Sequence, residues 1–175
     1  ALLNKLVSAV PTSGYYTAVM PARSVSTVSL DPAVTFAANE VPKGSGYTTV
    51  AVTNIGGVTF ASVLGDGTVI TSATALLTSA NKAIYYSQLY STRGSIGGEV
   101  TIAKPGAYVE VTATDMFWFR PYQAVHHYPY GWPEGILTDM VGAEYNVVAG
   151  QSVVPGLPAV NITTGNANIL FTDGL

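Results

Sequence analysis

Along most of this chain, apolar and polar side chains alternate with a period of two, the pattern of strands with one buried face. The alternation starts at Tyr15–Met20 and recurs at Ser24–Leu30, Val34–Ala38, Tyr47–Asn54 and Val58–Leu64. Turn chemistry separates the runs: Pro21-Ala22, Asp31-Pro32, the Pro42, Gly44 and Gly46 cluster, and Gly56-Gly57. Gly65-Asp66-Gly67 is a hairpin signal that leads into a strand at Thr68–Thr71. Residues 72–90 fit either a helix around Ala73–Ala80 or a strand, a loop and a second strand over Ala83–Leu89. The tyrosines of the second half favour the strand.

Gly94–Gly98 reads as a loop and Glu99–Ala103 as a strand. After the turn Lys104-Pro105-Gly106, the stretch Ala107–Thr114 alternates cleanly, with Ala107, Val109, Val111 and Ala113 on one face. Gly135–Val141 suits a strand or a short helix. Glu144–Val148, Ser152–Val154, Ala159–Thr163 and Asn168–Thr172 suit short strands. Only the beginning of the chain departs from this period. Leu2, Leu3, Leu6, Val7 and Val10 fall at helical spacing before Pro11, which predicts a short helix or an arm that docks on a neighbouring subunit.

About ten short strands with frequent turns and almost no helix define an all-β sandwich or barrel. The length and uneven spacing favour a single-domain jelly roll with extra strands, with an immunoglobulin-like sandwich as the alternative. The expected layout is an N-terminal arm over 1–11, a strand-rich part over 12–114, an aromatic loop block over 115–135, and short strands over 136–175.

Composition adds a hint of assembly. Charged residues make up 10% of the chain, against about 25% in an ordinary soluble domain. Hydrophobic residues make up 48%. Surface this poor in charge is commonly surface that meets other protein. The seven basic residues are never adjacent, so no cationic stripe exists for a phosphate backbone, and direct nucleic-acid binding is not expected. No apolar run has the length of a transmembrane helix. Cysteine is absent, which excludes disulfides and thiolate chemistry.

Candidate chemistry concentrates in Val111–Pro133, which holds both tryptophans, both histidines and Arg120. His126-His127 is a metal candidate, but HxH and HExxH spacings are absent. No GxSxG elbow or phosphate-binding glycine loop occurs. Glu110, Asp115, Glu134 and Asp139 flank the aromatic block and offer paired carboxylates for glycoside chemistry. Pro129, Gly131 and Pro133 make HHYPYGWP a loop. Its aromatics have three destinations: a plug over the domain's own end, a subunit interface, or a ligand platform.

The expected function is structural. The chain reads as a self-assembling protein, a viral coat or capsid-associated subunit in the virion, partnered with itself and with other structural subunits. No catalytic residue, metal or cofactor is expected. The contact candidates are Trp118, Tyr122, Tyr128, Tyr130 and Trp132 in the aromatic block, Leu2, Leu3, Leu6 and Val7 near the N-terminus, and Ile169 and Phe171 near the C-terminus. The main alternative is an extracellular or cell-surface glycan-binding module or adhesin domain, with Trp118, Tyr128, Tyr130 and Trp132 as its platform. Another is a filament subunit in which Asn168–Thr172 is donated as a strand.

Overall fold

A computed structural model describes residues 10–124 and 127–144. The chain divides after Glu144, and everything described belongs to the unit Ala1–Glu144. The expected arm with Leu2, Leu3, Leu6 and Val7, and the expected strands carrying Ile169 and Phe171, lie outside the described residues.

Eight strands form one antiparallel sheet: β1 (Gly14–Met20), β2 (Gly46–Val52), β3 (Gly57–Val63), β4 (Val69–Ala75), β5 (Lys82–Leu89), β6 (Gly94–Ala103), β7 (Glu110–Arg120) and β8 (Trp132–Glu144). The all-β barrel or sandwich class is as the alternation requires. The strand order is β4-β3-β2-β1-β8-β7-β6-β5, so every strand lies beside its sequence neighbour and β1 joins β8. This is an up-and-down meander and not the jelly roll expected, which needs crossing connections. The cause lies in the turns. Thr53–Gly56, Gly65-Asp66-Gly67 and Tyr90–Arg93 are too short to reach beyond an adjacent strand.

The sheet curls until β4 and β5 face each other. No backbone ladder joins them. Leu77 and Lys82 form a single bridge at the hairpin, and farther along the seam the Ser72 hydroxyl donates to the Tyr86 carbonyl at 2.8 Å. The interior links across the same gap. Tyr85 packs edge-on against Phe60 with ring centroids 5.1 Å apart. Its hydroxyl donates to Ser62, which in turn bonds Thr48. Inward-facing Tyr16, Val50, Val58, Ile96, Ile102, Met116 and Met140 fill the remaining core.

Four stretches settle or differ from the sequence expectation. Ser24–Leu30 and Val34–Ala38 are not strands. They belong to a long excursion between β1 and β2, broken by Pro21, Pro32 and Pro42, whose backbone pairs with the sheet at one bridge, Ser29 to Ile136. There it occupies the lane beside β8 that β1 vacates at Met20. Residues 73–80 form no helix. Gly94–Gly98, expected as a loop, is the first half of β6. Glycine suits that lane because the rings of Phe117 and Tyr86 take the space a side chain would need. A Cβ at Gly97 would lie 2.9 Å from Phe117 and 3.0 Å from Tyr86.

Candidate functional site

The aromatic block folds into one end of the barrel. β7 carries Trp118 and Arg120 inward, β8 begins with Trp132, and Arg120 pairs with Trp132 in the ladder. Trp118 and Trp132 meet edge-on at 4.8 Å, and Tyr128 packs on Trp132 at 5.9 Å. Arg120 lies among the rings of Tyr90, Tyr128 and Trp132, at 5.5, 6.0 and 5.3 Å from their centroids. A charge so deep needs a counter-charge. Asp66, from the β3–β4 turn, supplies it at 3.4 Å from the Arg120 Nε, with only 1% of its side chain exposed.

Hydrogen bonds complete the plug. Trp118 Nε1 donates to the Tyr90 hydroxyl, which donates to Asp66 at 2.7 Å. Arg120 also donates to the Tyr128 carbonyl and to Gln123. Burial first, and the Asp66 charge second, hold the Tyr90 proton far more tightly than in a free tyrosine. Gly131 lets the returning loop pass, because a Cβ there would collide with the Arg120 and Pro121 carbonyls. A partly open pocket between the 21–45 excursion and the sheet, lined by Met20, Val28, Ile96, Trp118 and Ile136, measures about 20 Å³, room for about one water. This barrel's interior is core.

The sequence candidates therefore separate. Trp118 and Trp132 are interior, at 3% and 0% exposure, and are closed to any outside contact in the folded barrel. Tyr128 is half-buried and receives a hydrogen bond from the Lys43 amide. Tyr122 and Tyr130 remain at the surface, 60% and 65% exposed, with rings 6.4 Å apart and tilted by 53°. The four-residue ligand platform is thus reduced to Tyr130 and half-buried Tyr128.

The carboxylates separate too. Asp115 and Asp139 both grip Arg23, Asp139 through two oxygens, and the Asp115 amide also donates to Asp139. The Arg23 bonds hold the Asp139 carboxyl below its ordinary range. This cluster pins the start of the excursion to the bulge in β7. Glu110 pairs with Ala143, and Glu134 lies near the opposite end of β8. His127 is exposed, and His126 lies outside the described residues. Among the described residues no group of three or more His, Cys, Asp or Glu is placed to hold a metal, and no helix is long and apolar enough to cross a membrane.

A feature missed in the sequence emerges once the strands are in order. β1 to β4 contain no charged residue: GYYTAVM, GYTTVAV, GVTFASV and VITSATA. Every strand from β5 to β8 contains at least one. The barrel therefore has an uncharged half and a charged half. Outside the first, Val69, Val63, Tyr47, Val19 and Val141 lie opposite one another across five strands. Beside them run Thr71, Ala61, Thr49, Thr17 and Ala143, and then Ala73, Thr59, Ala51 and Tyr15. Tyr15 is 77% exposed and Val69 75%. The signal was present as the long intervals without charge around 46–75, broken only by Asp66.

Compared with protein-family models, curated proteins and solved structures, the chain matches none.

Proposed function

We propose that the protein is a structural subunit that assembles with copies of itself through the uncharged half of its barrel. The observation that carries this reading is the exposed lattice of Thr, Ala, Val and Tyr over β4, β3, β2, β1 and the end of β8, with no charge among its outward side chains. Interface centres are depleted in charge and enriched in aromatic residues, and Tyr15 and Tyr47 stand on this face. Sheet faces that stay in water usually carry polar and charged side chains, and extended uncharged patches on them mark contact surfaces. A coat or capsid-associated subunit is the narrower form of the proposal, with an extracellular assembly as the alternative setting.

Light scattering coupled to size exclusion tests the proposal. The purified chain is expected to elute as discrete oligomers or larger particles at micromolar concentration. Thr17 and Thr49 are exposed cross-strand partners near the centre of the face. The double variant Thr17→Lys/Thr49→Lys is expected to elute as a monomer with an unchanged β-sheet circular dichroism spectrum, because repelling ammonium groups then sit in the contact. A wild-type chain that stays monomeric, or oligomers indifferent to the two lysines, would overturn the proposal.

A further inference from the structure

On the charged half, the outer surface where the β5–β6 turn meets β7 and β8 forms a shallow, open cleft of about 320 Å³. Its lining is unlike the uncharged face: Tyr86, Gln88, Thr92, Arg93, Ser95 and Phe119 surround it, with Gly94 and Pro133 completing the wall. The ladder sets the spacing. Ser95 lies between Gln88 and Phe119 on one rung, and Gly97 lies between Tyr86 and Phe117 on the next. With glycine at 97 the Tyr86 and Phe117 rings close over that position, and Tyr86 forms part of the cleft's aromatic wall with Phe119.

Arg93 gives the cleft its sign. Arg23 is bound to Asp115 and Asp139, Lys82 to Glu99, and Arg120 is buried against Asp66. Arg93 is exposed and makes no ion pair among the described residues. Its backbone is held unusually. Tyr90, Ser91 and Thr92 all have positive φ (53°, 57° and 69°), a conformation that L-residues with side chains seldom adopt singly and that costs energy at each position. The Tyr90 ring is locked into the barrel end by Asp66 and Trp118. The buried plug thereby fixes the turn that presents Arg93.

We infer that this cleft binds an acidic saccharide, with a sugar ring against Tyr86 and Phe119 and its carboxylate on Arg93. Aromatic faces accept the apolar face of a pyranose. Gln88, Thr92 and Ser95 supply the mixed donors and acceptors that hydroxyl groups need. A guanidinium matches a carboxylate in a paired, charge-assisted geometry. A single cation is too few for a nucleic-acid backbone, which needs several along its path. The site shares only β8 with the proposed assembly face, at Pro133 near the opposite end of that strand from Val141 and Ala143, and stands or falls separately from it.

The test is a titration of the isotope-labelled full chain, followed by amide chemical shifts. The acidic probes are a disaccharide ending in glucuronic acid and sialyllactose; the neutral counterparts are the same disaccharide ending in glucose, and lactose. The expected result is saturable shifts clustered on residues 86–95 and 119 with at least one acidic probe, and affinity for its neutral counterpart lower by about tenfold or more. Arg93→Gln is expected to remove that preference for the acid while leaving the rest of the spectrum in place. Tyr86→Ala is expected to weaken acidic and neutral binding alike. Absence of saturable binding by both acidic probes, shifts centred on another surface, or an Arg93→Gln variant that keeps its preference for the acid would each overturn the assignment.

Discussion

Arg120 shows how much of this molecule depends on one side chain. It is charged, 3% exposed, ringed by three aromatic residues and balanced by Asp66. Replacing both ions of such a pair is often harmless, whereas removing one strands the other. Arg120→Met is therefore expected to destabilise the fold by about 3–5 kcal/mol in urea denaturation, and adding Asp66→Asn should recover part of the loss. A second residue-scale expectation concerns alkali. Burial pushes the Tyr85 hydroxyl up to about 12. The folded state thus favours the protonated form. The resulting stability is complete below the ordinary tyrosine range near 10 and is lost as pH rises through about 12. Urea midpoints should hold from neutral pH to about 9 and fall by about 11, and Tyr85→Phe should flatten that fall.

Among the elements, the most legible strands were those in which alternation and turn chemistry agreed: β1, β2, β3 and the second half of β6, whereas β5 lay in the stretch 72–90 where helix and strand readings competed. Ala107–Thr114 is strand only from Glu110, the start of β7, and of its expected inner face Val109, Val111 and Ala113 are buried while Ala107 is exposed. The first half of β6 was illegible because GSIGG carries little side-chain pattern. Its strand character comes from neighbours that a linear reading does not display, Phe117 and Tyr86 across the ladder. Gly97→Val should accordingly cost about 1–3 kcal/mol by crowding those rings, with a lowered melting temperature as the readout. Removing the obstructing ring in Gly97→Val/Phe117→Ala should return part of it. The segment 24–38 erred in the opposite direction. Its local pattern suits strands, yet Pro21, Pro32 and Pro42 interrupt it, and only residues 28–30 reach the lane that β1 leaves open along β8.

At the scale of the whole molecule, the candidate site was present in the sequence only as intervals without charge. Whether those intervals share a face depends on strand order, and order depends on which turns are short. The aromatic block drew attention because of its composition, but composition does not distinguish a plug from a contact pad; the inward register of Trp118 and Trp132 does. A charge-free interface also has a signature in solution. Because it holds no ion pairs to screen, the oligomers should persist from low to high salt, where contacts built on charge would weaken. Light scattering across a salt series reads this directly, and dissociation with rising salt would place the contact on the charged half instead.

The join between β1 and β8 has a mechanical consequence. The chain enters this sheet at Gly14 and leaves it at Glu144 on adjacent antiparallel strands, with Tyr16 opposite Glu144. Tension applied through those two points would draw the strands apart from one end, so each rung would bear the full load alone before the next was reached. Strands pulled along their length share a load over all their rungs; strands peeled from one end do not. Hung from Gly14 and Glu144, the barrel would open like a zipper.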